Sequence, residues 1–209
     1  MTWEEHIPPD IAELYEVHDY KHAAAILASE FPNEFKELCE ALRRFRFTLE
    51  DIKLAGGNES LIPKKYSKIL MPMGWTPGNL KAKLVLDDQE IPLDTHKVDY
   101  IKGRVAFDLE WNSKDQTFDR DLYAFRAFYD YDKISVGVLV TRSNDLDKLF
   151  DSLGSYIDKN GKVRKYKAKY GASTTHMGKL LPRLKAGRNG GCPVLVFGIT
   201  RKLIISENE

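Results

Sequence analysis

A chain of 209 residues with 43% apolar and 11% aromatic side chains has the length for one domain and the composition for a packed core, which excludes wholesale disorder. Its net charge of +1 hides an asymmetry: residues 159–206 hold 12 Lys and Arg and no Asp or Glu, against 20 basic and 29 acidic residues in residues 1–158. That segregation predicts a polyanion-facing surface in the last quarter, the alternative being a solvated basic face with no partner.

The two cysteines, Cys39 and Cys192, are far apart and match no metal-binding spacing. The opening "MTWEEHIPPD" is acidic and unlike a signal peptide, and "PVLVFGI" is too short to span a membrane. The expectation is a reducing, cytoplasmic setting.

Apolar residues at helical spacing predict helices over 10–17, 20–31 and 32–47, with Pro32 suited to a helix start. A further short helix begins after Thr48 and stops at Gly56-Gly57. Residues 57–80, rich in Gly, Pro, Lys and Asn, read as a long irregular loop. A strand is expected over 81–87. Two more, "THKVDYI" and "RVAFDLEW", flank Lys102-Gly103 as a two-residue hairpin turn. Residues 118–132 read as a helix, 133–141 as a buried strand and 143–156 as a short helix. Residues 174–187 read as a helix that Pro182 kinks or breaks, and 192–200 as a last buried strand. This order predicts an α/β fold in which helices flank a central mixed β-sheet. Residues 1–209 are expected to form one domain, with N-terminal helices over 1–56 and the core over 81–200.

The chemistry concentrates in the hairpin. With Lys102 and Gly103 at the turn, Ile101 faces Arg104 and Asp99 faces Ala106. Strand alternation then puts Asp99, Asp108 and Glu110 on one face, because Val105, Phe107, Leu109 and Trp111 claim the other. Carboxylates so close repel unless a cation joins them, and oxygen-only ligation points to Mg²⁺. The alternative is an acidic solvated face paired with lysines such as Lys97. His96 points away from Asp99 by the same alternation.

"DYIKGRVAFDLEW", followed by "YAFRAFYDYDKISVGVLV" and "GRNGGCPVLVFGI", resembles the type II restriction endonucleases of the BglII/BstYI group, within the PD-(D/E)XK nuclease superfamily. The resemblance covers roughly residues 95–200. It implies a three-layer sandwich, Mg²⁺-dependent cleavage of double-stranded DNA at a short palindrome, a homodimer, and a cognate DNA methyltransferase acting on the same site.

Asp99 matches the first metal-binding acid of the group and Asp108 the second, which is Glu in close relatives. The Leu109 carbonyl is implied as a further metal ligand. Glu110 occupies the position of a catalytic Lys in most of the superfamily, of Gln in BglII and BstYI, and of Glu in BamHI. It is implied to bind metal or to activate the attacking water. Base-reading residues are implied at Asn112, Ser113 and Lys114, and again near Ala172, Ser173 and Thr174. Phosphate contacts are expected of Lys162, Arg164, Lys165, Lys167 and Lys169. The aromatic residues of 118–132, among them Tyr123, Phe125, Phe128 and Tyr129, cannot share one helical face, so some suit a subunit interface. Two alternatives remain at this stage: a structure-specific or repair nuclease of the same superfamily, and a non-catalytic DNA-binding protein.

Overall fold

The computed structural model describes residues 2–53, 60–81, 83–92, 96–158 and 160–206. Its first half runs α1 (Pro9–Leu14), β1 (Tyr15–Tyr20), α2 (Ala23–Glu30), α3 (Pro32–Arg44), α4 (Leu49–Lys53), α5 (Leu61–Leu70), β2 (Thr76–Leu80), β3 (Lys83–Leu86), β4 (Gln89–Pro92), β5 (His96–Lys102) and β6 (Val105–Glu110). There follow α6 (Thr117–Asp130), β7 (Val136–Arg142), α7 (Asp147–Ser152), β8 (Ser155–Ile157), β9 (Val163–Lys165), α8 (Met177–Lys185) and β10 (Val194–Ile199).

Six strands make the central sheet in the order β1-β10-β7-β6-β5-β2. The β10-β7-β6 centre is parallel, and every other pairing in that sheet is antiparallel. All residues of β6, β7 and β10 are buried, as expected of strands covered on both faces. Alternation divides them between two cores. Val105, Phe107, Leu109, Val136, Val138, Val140, Leu195 and Phe197 pack with α2, α3, α5 and α7. Ala106, Leu139, Val194 and Val196 pack with α6 and α8. The result is the expected three-layer α/β sandwich, and the α6–α8 layer covers the face that carries Asp108 and Glu110.

The structure departs from the sequence expectations in several places. The helix expected over 10–17 stops at Leu14, and Tyr15–Tyr20 pair with β10 as an edge strand. Apolar spacing in so short a run does not separate helix from strand. The Tyr15 hydroxyl donates to the Leu42 carbonyl at 2.9 Å, tying the strand to α3. The loop expected over 57–80 contains α5 and β2. Ile62, Tyr66, Ile69 and Leu70 bury one face of α5, and Pro63 in its first turn costs no helical bond. The strand expected over 81–87 belongs to a separate two-stranded hairpin, β3-β4, rather than to the central sheet. Within 143–156 only Asp147–Ser152 form an α-helix, and Ser155–Ile157 turn into β8. Pro182 lies inside an unbroken α8, which is anchored by buried Leu180 and Leu184 and by Arg183 donating to the Lys179 carbonyl. Among the described residues no helix is long and apolar enough to cross a membrane.

Candidate active site

The β5-β6 turn centres on Gly103 and Arg104, one residue beyond the expected Lys102-Gly103, because Lys102 pairs with Val105, Ile101 with Ala106 and Tyr100 with Phe107. Gly103 has φ +52°, a backbone that glycine adopts without strain and that a two-residue hairpin requires at its first central position. The expected pairings of Ile101 with Arg104 and Asp99 with Ala106 are therefore replaced. Side-chain parity survives the change, and the register carries Asp99 level with Asp108 rather than diagonal to it.

On its other edge β5 is bulged. Thr76 pairs with Ile101 and Gly78 with Val98, so Asp99 and Tyr100 stand opposite the single residue Pro77. Bulges of this kind re-aim side chains next to sites. Here the bulge turns Val98 into the core beneath α6, and His96 meets the Tyr123 ring of α6 at 5.0 Å between centroids. Simple alternation, which turned His96 away from that layer, fails at the bulge.

Past Tyr100–Phe107 the carboxylates take over the strand pairing. The Asp99 N–H donates to Asp108 Oδ1 at 2.6 Å, and the Leu109 N–H donates to Asp99 Oδ2 at 2.9 Å. The Thr141 hydroxyl of β7 donates to the Glu110 carbonyl at 2.7 Å and fixes the end of β6. Asp99 lies exposed at the mouth of the site, whereas Asp108 and Glu110 are buried.

A fourth carboxylate comes from α6. Asp121 is only 3% exposed, and its charge raises the pKa of both Asp108 and Glu110. It escaped the sequence reading, although a signal was there. Phe118, Asp121, Leu122 and Phe125 follow the spacing of a buried helical face, so an acid occupies a core position. The preceding residue supplies a cation. Arg120 donates to Asp121 Oδ1 at 3.0 Å and brings a guanidinium nitrogen 3.6 Å from Glu110 Oε1.

Burial dominates the electrostatics. It raises Asp108 well above the ordinary carboxylate range, helped by the charges of Asp121 and Asp99. Burial and then the Asp121 charge push Glu110 up to about 8. Burial raises Asp121 to about 6 against the lowering effect of Arg120. Asp99 is raised by desolvation, while the Leu109 N–H and Arg120 oppose it.

Asp108 Oδ2, Glu110 Oε2 and Asp121 Oδ2 are buried with no hydrogen-bond partner. Acceptor oxygens withdrawn from water call for a proton or a cation. Among the described residues no ready-formed cage of three or more His, Cys, Asp or Glu side chains is present. Asp108 Oδ1 and Asp99 Oδ2 each accept from a backbone N–H. The donor set of hard carboxylate oxygens, with three still unpartnered, fits a hard divalent ion.

The sequence matches the family model "Restriction endonuclease BglII/BglIII" over residues 15–199. The chain belongs to the BglII/BglIII restriction endonuclease family. It is a type II site-specific deoxyribonuclease, a hydrolase that acts on double-stranded DNA, and its family generally uses divalent metal ions. No curated protein matches the chain.

The endonuclease joins two chain-distant segments beside the carboxylates. Asn112, Ser113 and Lys114 leave the end of β6, and Ala172, Ser173 and Thr174 precede α8. Lys114 bridges Thr174 in antiparallel fashion, the Thr175 N–H donates to the Ser113 carbonyl at 2.9 Å, and the Asp115 N–H donates to the Ser173 carbonyl at 3.0 Å. Ser113, Lys114, Ala172 and Ser173 are exposed, and Asn112 and Thr174 are half-buried.

The basic residues divide. Lys162, Arg164 and Lys165 belong to the separate β8-β9 hairpin and its turn, with Lys167 just beyond, and all four are exposed. Arg164 pairs with Asp158 at 3.1 Å and Lys167 with Asp151. Further along, Arg183 and Arg188 pair with Asp119, and Lys179 lies 3.9 Å from Asp115. Part of the basic excess of the last quarter is thus spent on acids around α6 and does not face solvent as free positive charge.

Proposed function

We propose that this BglII-type endonuclease is a Mg²⁺-dependent homodimer that cuts both strands of a short DNA palindrome, with Asp99, Asp108 and Glu110 as its catalytic carboxylates. The observation that carries the reading is the set of unpartnered carboxylate oxygens on Asp108, Glu110 and Asp121, buried beside Asp99. Bound there, a hard divalent ion supplies Lewis-acid polarisation of the phosphate and acidifies water.

Asp99, Asp108 and the Leu109 carbonyl would hold the ion, and Glu110 would either complete that set or accept the proton of the attacking water. The water oxygen bonds to phosphorus as the phosphorus–oxygen bond to the leaving sugar breaks. Without a metal, burial raises Glu110 to about 8 and keeps it mostly protonated at neutral pH; a cation held beside it would lower that pKa and free the carboxylate to take a proton. Arg120 brings a guanidinium nitrogen to 3.6 Å from Glu110 and 3.0 Å from Asp121, a cation beside both carboxylates.

Asn112, Ser113, Lys114, Ser173 and Thr174 offer donors and acceptors to base edges, and Ala172 offers an apolar contact. Lys162, Arg164, Lys165 and Lys167 meet phosphates, which set position and affinity rather than sequence. Exposed Tyr123 and Tyr129 on α6, and Tyr131 just after it, support a subunit interface. A two-fold dimer reads a palindrome and cuts each strand once. The protein works in the cytoplasm beside a methyltransferase that protects the same sequence.

The test is digestion of long unmethylated DNA with Mg²⁺ or with chelator, followed by sequencing of the ends. Discrete Mg²⁺-dependent fragments that share a palindrome are expected, and cleavage unaffected by chelator overturns the reading. Asp108→Asn is expected to keep DNA binding in a gel-shift assay and to lose cleavage by roughly a thousandfold or more. Full activity in that variant removes Asp108 from the site.

A further inference from the structure

Arg142, the last residue of β7, is 1% exposed. A buried guanidinium normally sits against a carboxylate. Here the nearest is Asp147 Oδ1, 4.0 Å from Nη1, and Nη1 has no hydrogen-bond partner. The other donors go to the segment before α8. Nε donates to the Thr175 carbonyl at 2.7 Å, and Nη2 donates to the Thr174 hydroxyl. The guanidinium carbon lies 5.4 and 5.5 Å from the ring centroids of Phe150 and Tyr170, which stack on each other at 4.0 Å. Its pKa, lowered by burial to about 10, leaves it charged at neutral pH.

An ion held this way is a poor stabiliser, because its desolvation is only partly offset. It is well shaped for another task. The planar fork of arginine holds two acceptors in one fixed geometry, which the freely rotating ammonium of lysine does not do. Both acceptors belong to the strand-like segment that pairs with Ser113 and Asp115. One residue earlier on the same strand, Thr141 is bonded to the Glu110 carbonyl. Consecutive residues of β7 therefore hold the end of the catalytic strand and the segment alongside it.

We propose that Arg142 is a positioning residue that clamps the two base-reading segments, 112–114 and 172–174, to the edge of the sheet that carries the catalytic carboxylates, so that sequence discrimination depends on its guanidinium. This rests on the reading of those segments given above. Arg142 does not touch DNA. It acts by fixing Thr174 and Thr175, and through them Ser113, at a set height over the site. Misplacement of about 1 Å at such a distance costs up to about a hundredfold in rate.

The test compares wild type, Arg142→Lys and Arg142→Met in two measurements. Hydrogen exchange in the free protein reads the clamp directly. The amides of Ser113, Asp115 and Thr175 are expected to exchange faster in both variants, while those within β6 and β7 keep their protection. Cleavage reads the consequence as the ratio of kcat/KM between the preferred site and sites with one base changed. Arg142→Lys is expected to lower that ratio by about tenfold or more. Arg142→Lys keeps charge and bulk, so the test survives if Arg142→Met does not fold. Unchanged exchange at the three amides overturns the proposal. So does an unchanged discrimination ratio in variants whose melting temperature alone has dropped. Wild-type protein that cuts no DNA overturns the nuclease reading and the proposal together, whereas cleaving wild type with equally discriminating variants overturns the proposal alone.

Discussion

Glu110 and Asp121 titrate at about 8 and about 6, above their ordinary values of 4.5 and 3.8, chiefly because burial disfavours the ionised form. An acid whose pKa is higher folded than unfolded binds its proton more tightly in the native state. Its contribution to stability is full below the unfolded pKa and is lost as pH rises through the folded one. In chelator the melting temperature is therefore expected to fall between about pH 4 and pH 8. Asp121→Asn shrinks the fall, and a divalent ion, which favours the ionised carboxylates, opposes it. Thermal unfolding across that range checks this, and a profile that is flat in chelator and unchanged by Asp121→Asn refutes it. At this scale Asp99, Asp108 and Glu110 were legible because a hairpin relates them locally. Asp121 was not, because it joins them only when α6 lies down on the sheet.

The way α6 lies down depends on a glycine. A Cβ at Gly137 would come 2.6 Å from Cδ2 of Phe125, so the bare backbone of β7 is what lets α6 approach closely enough to deliver Asp121 and Arg120. Gly137→Ala forces overpacking and is expected to cost about 1–3 kcal/mol. A urea titration checks this through the midpoint, and cleavage is expected to drop in the same variant as α6 shifts. An unchanged midpoint shows that the ring simply moves aside. A smaller side chain in place of Phe125 should recover part of the loss, since the two positions are in contact. Elements with long periodic patterns, α3, α6 and the buried strands, were readable from spacing. β1 and α5 were not, because a six-residue run fits either period and lysines and a proline masked the apolar face of α5.

Across the molecule, positive charge sorts into two populations. Lys162 and Lys165 stand exposed on the β8-β9 side, whereas Lys179, Arg183 and Arg188 face Asp115 and Asp119. Replacing Lys162 and Lys165 together by Gln is expected to weaken DNA binding evenly across sequences. It should also lower the slope of log K against log salt by about 2. Lys179→Gln should leave that slope nearly unchanged. Salt titrations of binding decide between this division and a uniformly basic face, for which all three lysines would count alike. Light scattering is expected to show a dimer with and without DNA, and a strict monomer in both would refute the subunit arrangement.

The sequence by itself determined the fold class and the acidic hairpin, which rest on alternation, turn chemistry and the spacing of residues close along the chain, and the family, which rests on resemblance along residues 15–199. Only the tertiary structure decided the depth and charge of the site. The bulge opposite Pro77, the carboxylate and guanidinium from α6, and the pairing of Ser113 with Thr175 all arise from contacts between segments far apart in sequence. Which lysines stand exposed and which lie against an aspartate was settled by the same packing, because a side chain's neighbours across layers leave no trace in its own local pattern.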